Sequence, residues 1–140
     1  MTEVAFPKVQ LLIDGQWTDG TSGKSQDILN PATGQSIGTV PHASKADLDR
    51  ALAAAQKGFD QWKKTSAFER YKTMRRVADL MRQRAPDISK IMSLEQGKPV
   101  GEALVETNLA GDLIDWFAEE ARRTYGRIVP PRMGNVEQLV

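Results

Sequence analysis

The chain has no cysteine and a single histidine, His42. Without cysteine there are no disulfides, no thiol nucleophile and no thiolate metal site in these residues, and the composition fits a reducing, cytoplasmic setting. One imidazole cannot build a zinc site of the common nitrogen and sulfur type. A Ser or Thr triad would have only His42 as its base, and no Ser lies in a nucleophile-elbow sequence. His42 stands among polar neighbours near an expected helix start and reads as a solvated loop residue. Charge of one sign is also scarce. A net charge of +1 gives no general field for nucleic acid or an anionic membrane, and no Lys/Arg run is interleaved with aromatics. No stretch approaches the ~18 apolar residues of a membrane span, and Met1–Gln10 has no apolar core of signal-peptide length. Nucleic acid and membranes are therefore not expected partners. No G-x-G-x-x-G follows a strand, and Gly97-Lys98 is followed by Pro99 instead of Ser or Thr, so neither common phosphate loop is present. Strand and helix do not alternate in βαβ fashion. No nucleotide site is expected within these residues.

What is present points to an α+β chain: N-terminal β-ribbons followed by three to four packed helices. Its 140 residues suit one domain and a core that needs no staples. Residues 1–10 read as a flexible N-terminus, 11–43 as ribbons, 44–126 as a helical segment and 127–140 as an extended segment. Leu11-Leu12-Ile13 and Gln16-Trp17-Thr18 flank Asp14-Gly15, a dipeptide that tolerates positive φ at both hairpin positions. A second ribbon is expected over Ser25–Leu29 and Ser36–Val40, turned by Asn30-Pro31-Ala32-Thr33-Gly34.

Ser44-Lys45-Ala46-Asp47 resembles a capping box with Asp in place of the usual Glu or Gln. Behind it, Leu48, Ala51, Leu52, Ala55, Phe59 and Trp62 share one helical face. Ser66-Ala67-Phe68-Glu69 is a full capping box by type, with Tyr71, Met74, Ala78 and Met81 expected inward. Pro86 is expected to interrupt this helix and to start another piece carrying Ile88, Ile91, Met92 and Glu95 on one side. A last helix over Val100–Tyr125 bears the small-residue stripe Ala103, Thr107, Ala110, Gly111, Ile114, Ala118 and Ala121. Gly111 costs roughly 1 kcal/mol in a helix against Ala, which suggests a packing reason. The runs Lys63-Lys64 and Arg75-Arg76 read as solvated, and Glu119-Glu120 before Arg122-Arg123 as local ion pairs.

Between the last two helices stands Glu95-Gln96-Gly97-Lys98-Pro99. Gly97 and Pro99 suit a helix end and a helix start, but that geometry does not require Glu95 or Lys98. From the residues alone, Glu95 is either a polar helix-end group or an oxygen ligand for a monovalent cation. Together with Ile13-Asp14-Gly15-Gln16-Trp17, Asn30-Pro31-Ala32-Thr33-Gly34, Asp60-Gln61-Trp62, Glu69-Arg70, Trp116-Phe117-Ala118-Glu119-Glu120 and Tyr125-Gly126, this segment resembles the NAD(P)-dependent aldehyde dehydrogenase superfamily. Within it the resemblance is to the succinate-semialdehyde group, and it runs from about Leu11 to Val140.

The resemblance implies the N-terminal part of a chain of several hundred residues, a piece of the family's α/β fold without its Rossmann-like sheet. In the family a Cys thiolate attacks the aldehyde, a hydride passes to NAD or NADP, and water hydrolyses the thioester. The Cys, the general-base Glu, the oxyanion-hole Asn and the dinucleotide-binding strands come later in the family's sequence. This chain alone is therefore expected to be inactive and to hold no NAD(P). Four residues carry family roles by position. Glu95 and the backbone carbonyl of Leu29 match a structural cation site, and Val105 and Leu109 match positions lining the substrate-entry tunnel. Residues 136–140 match the first strand of the oligomerisation ribbon. The implied partners are the remainder of the dehydrogenase chain and, for the parent, a homodimer or tetramer. The alternative is a non-catalytic helical module that self-associates or binds a partner through the exposed stripe Ala103–Ala121 and an open strand at 136–140.

Overall fold

The computed structural model describes residues 6–129, 133–135 and 138–139. Strands β1 (Leu11–Ile13) and β2 (Gln16–Thr18) form an antiparallel hairpin. Its two-residue turn places Asp14 at φ 48° and Gly15 at φ 76°, the left-handed pair that matches the twist of a tight hairpin. Strands β3 (Ser25–Leu29) and β4 (Ser36–Pro41) form the second ribbon, with a register shift between Ile28 and Leu29. Asn30 organises the intervening turn: its Oδ1 accepts the Ala32 N–H at 2.9 Å and its carbonyl accepts the Gly34 N–H at 2.8 Å.

Helix α1 (Lys45–Trp62) opens on a reciprocal capping box. Ser44 Oγ accepts the Asp47 N–H at 3.1 Å, and Asp47 Oδ2 accepts the Ser44 N–H at 2.9 Å, so the shorter Asp serves where Glu or Gln is usual. The helix packs against β1, with Ala54 beside the buried Ile13. Leu48, Leu52, Phe59 and Trp62 are exposed. Periodicity finds an apolar stripe but cannot say which elements cover it.

Helix α2 (Ala67–Gln96) runs unbroken through Pro86, against the expected interruption. A proline removes one N–H and crowds the carbonyl four residues back. Here the cost is met by burial on both sides of the proline, since Ala85 and Ser89 lie within 1% of full burial. The Ser89 hydroxyl donates to the Pro86 carbonyl at 3.0 Å. The cap at Ser66 is half a box: Ser66 Oγ accepts the Glu69 N–H at 3.2 Å, while the Glu69 carboxylate takes Lys72 at 2.8 Å.

Helix α3 (Val100–Glu120) is shorter than expected. A 3-10 turn, Ala121–Arg123, tightens its end before Tyr125. It packs antiparallel to α2, and Ala78, Ala85 and Ser89 meet Ala103, Thr107, Gly111 and Ala118 in the main core. The small-residue stripe is thus covered by α2, which corrects the idea that it is an exposed surface. Arg82 bridges the helices to Asp112 at 2.7 Å and Asp115 at 2.6 Å, and Arg75 reaches Asp115 at 3.1 Å. Arg75 is thereby half-buried, while Lys63, Lys64 and Arg76 are solvated. The expected local pairs form as Arg122–Glu119 and Arg123–Glu120.

Strands β5 (Ile128–Val129) and β6 (Gln138–Leu139) pair antiparallel. Of the strand expected over 136–140, residues 136, 137 and 140 lie outside the described residues. The described residues thus form three separate two-stranded ribbons and three long helices, an α+β arrangement without a larger sheet. Among them no helix is long and apolar enough to cross a membrane.

Candidate functional site

The junction between α2 and α3 is built from its backbone outward. Gly97 takes φ 74°, and its N–H donates to the Ser93 carbonyl at 2.9 Å, closing α2 with a left-handed residue. Ser93 Oγ donates to the Lys98 carbonyl at 2.6 Å. Pro99 begins α3, and its carbonyl accepts the Ala103 N–H at 3.0 Å. Lys98 pairs with Glu106, nearly two turns into α3. The turn of the second ribbon seats here, for a Cβ on Gly97 would lie 2.8 Å from Pro31 Cγ. Gly97 therefore serves both a left-handed backbone and a close approach.

The four residues singled out from sequence fall in two places. Leu29, at the end of β3, and Glu95, at the end of α2, belong to the two segments that the Pro31–Gly97 contact joins. Glu95 is exposed and has no hydrogen bond or ion pair to another described residue. It edges a shallow groove of about 300 Å³ with Ile88, Ile91, Met92 and Gln96. Among the described residues, no group of three or more His, Cys, Asp or Glu gathers as a metal cluster. Val105 and Leu109 lie one turn apart on α3, 69% and 54% exposed. With Gly101, Glu102 and Glu106 they line an open groove of about 450 Å³. It offers apolar contact and carboxylates, but no nucleophile.

Trp116, 66% exposed, lies on the same face of α3. At about 100° per residue, Val105, Leu109 and Trp116 fall within about 40° of one another and roughly opposite the Ala103–Ala118 stripe. The sequence marks Asp47 only as part of a helix cap. In the fold it is fully buried and also accepts the Thr21 N–H at 2.8 Å. Donation from its neighbours, the Ser44 N–H first and then the Thr21 N–H, holds its carboxyl well below the usual carboxylate range. No local pattern announces a partner 26 residues away.

The match to known proteins covers the same elements. The model of the aldehyde dehydrogenase family matches residues 17–140. The chain belongs to the aldehyde dehydrogenase family. A glutarate-semialdehyde dehydrogenase from Pseudomonas putida is 43% identical over 121 residues, which cover 86% of this chain and 25% of that protein. An NADP(+) succinate-semialdehyde dehydrogenase from Escherichia coli is 37% identical over 131 residues, covering 94% of this chain and 27% of that one. The crystal structure of an aldehyde dehydrogenase from Brucella melitensis biovar abortus superposes with a TM-score of 0.92 at 38% identity, over 99% of this chain and 29% of that chain. This aldehyde dehydrogenase chain thus spans about a quarter of the length of the relatives it matches, and its ribbons and helices reproduce the N-terminal part of their fold.

Proposed function

We propose that these residues are the N-terminal part of an enzyme that oxidises a semialdehyde, of the succinate or glutarate kind, to the carboxylic acid with NAD or NADP. The observation carrying this reading is identity of about 40% to two semialdehyde dehydrogenases along almost the whole chain. The described residues do not fit a dinucleotide: their strands form separate two-stranded ribbons, and no glycine-rich strand-to-helix loop is present. No step through the cofactor is assigned to them. The chain also has no cysteine, so a thiolate nucleophile would come from another part of the polypeptide. The role of these residues is support. The α3 face bearing Val105 and Leu109 would form one wall of the route to the reacting carbon, facing the remainder of the chain. Glu95 and the Leu29 carbonyl would give two oxygens to a monovalent cation whose further ligands lie elsewhere. The working enzyme would be a cytoplasmic homodimer or tetramer.

The test is absorbance at 340 nm with succinate or glutarate semialdehyde and either NAD+ or NADP+. The purified 140-residue chain should give no reduction, and a longer polypeptide containing it should give turnover. Reduction by the short chain, free of longer contaminants, overturns the supporting role. A longer polypeptide that turns over other aldehydes but neither semialdehyde overturns the substrate assignment.

A second reading is a non-catalytic module that pairs with a copy of itself. The exposed row Val105, Leu109 and Trp116 favours it, because contiguous apolar surface of this kind marks an interaction face.

A further inference from the structure

We propose that Asp47 is an acid-sensitive latch: its buried carboxylate joins the ribbons to α1, and neutralising it lets that part open while the α2–α3 hairpin stays folded. Four donors crowd one oxygen, Asp47 Oδ2. They are the Thr21 N–H at 2.8 Å, Thr21 Oγ1 at 2.9 Å, the Ser44 N–H at 2.9 Å and Ser44 Oγ at 2.9 Å. Two come from the loop after β2 and two from the start of α1, so a single atom ties together segments far apart in sequence. The loop is shaped around it. Gly20 sits at φ 78°, and a Cβ there would lie 3.1 Å from Leu11 Cδ1, 3.2 Å from the His42 carbonyl and 3.4 Å from Asp47 Oδ2. Ser22 Oγ also donates to the His42 carbonyl, closing the loop over the helix start.

Little else holds these parts together. The large apolar residues of α1 are exposed, leaving Ile13 beside Ala54, while Lys57–Asp14 is an exposed pair at 3.5 Å. Such a pair contributes little. The α2–α3 hairpin has its own core and its own Arg82 bridges. Elements with separate cores can open separately.

The charged and titratable groups near the latch are Asp19, Lys24 and His42 on the ribbon side and Lys45, Asp49 and Arg50 at the start of α1, where Lys45 and Asp49 pair with each other at 2.8 Å. Arg50 alone pairs with Asp47, at 3.4 Å. Asp19 is engaged by Lys8 at 3.0 Å and by Gln10 at 2.9 Å, and His42 contributes its backbone carbonyl. A protonated Asp47 would no longer offer an anionic oxygen to the Thr21 and Ser44 N–H groups, and those charge-assisted bonds would weaken.

The test is amide exchange and amide chemical shift by NMR on the 140-residue chain. In Asp47→Asn at neutral pH, the amides of Thr21, Ser44 and the first ribbon should exchange about tenfold or more faster, while those of Ala78–Ala85 and Ala103–Gly111 keep wild-type rates. If that variant does not fold, the wild type decides. On acidification the Thr21 and Ser44 amides should move together, well below pH 4, while the amides of Ala78–Ala85 and Ala103–Gly111 keep their protection. Unchanged exchange at Thr21 and Ser44 in the variant overturns the latch. So does loss of protection that spreads equally over all three helices, or acidification that shifts all resonances in one step.

Discussion

At the residue scale, the two informative glycines behave in opposite ways. Gly97 has a left-handed backbone and meets Pro31 at a distance no Cβ tolerates. Gly97→Ala should lower stability by about 1–2 kcal/mol, the cost of a Cβ in the left-handed region, seen as a lower urea midpoint with an unchanged slope. Gly111 has a helical backbone, and its added Cβ would sit 3.5 Å from Arg82 Cγ and 3.6 Å from the Ala78 carbonyl, ordinary contact distances. The packing reason suggested by its cost in a helix is therefore not a need for glycine. Gly111→Ala should raise stability by roughly 0.5–1 kcal/mol in the same measurement. Asp47 adds a pH dependence. Its folded-state value lies below the ordinary 3.8, so its contribution is complete above that pH and disappears as pH falls through and below it. Urea midpoints measured from pH 6 to pH 2.5 should drop more steeply for the wild type than for Asp47→Asn.

At the element scale, burial decided what propensity left open. Pro86 reads as a helix break because its ring opposes the preceding turn. The structure keeps one helix because Ala85 and Ser89 dock on α3 from either side of it, while Pro86 itself faces outward. Pro86→Ala should therefore keep the helix, restore an N–H donor and raise stability by about 1–3 kcal/mol, read as a higher thermal midpoint by circular dichroism. Helix α3 is apolar on two opposite sides. Such a helix belongs between two layers, and among the described residues only α2 covers it.

At the scale of the whole molecule, that uncovered side sets the solution behaviour. Val105, Leu109 and Trp116 expose large apolar surface to water. The 140-residue chain should self-associate at micromolar concentration and remain associated at high salt, as apolar contacts do. Val105→Asp with Leu109→Asp should return it to a monomer. Light scattering coupled to size-exclusion chromatography measures both, and a wild-type monomer throughout would remove the self-pairing reading.

The elements closed by neighbouring residues were legible in the sequence: the Asp14-Gly15 hairpin, the Asn30–Gly34 turn, the Ser44 cap and the Gly97–Pro99 junction. The family was legible too, from the order and spacing of short motifs along the chain, and the family match over residues 17–140 bears it out. In each case the physics is short-ranged, a φ preference or a hydrogen bond within a few residues. Only the tertiary structure decided which side of α1 and of α3 is buried, that α2 survives Pro86, that Pro31 meets Gly97, and that Thr21 and Ser44 share Asp47. Those outcomes depend on contacts between segments distant along the chain. Apolar burial has no direction of its own, so a stripe in the sequence says that something covers a face, and the fold says what.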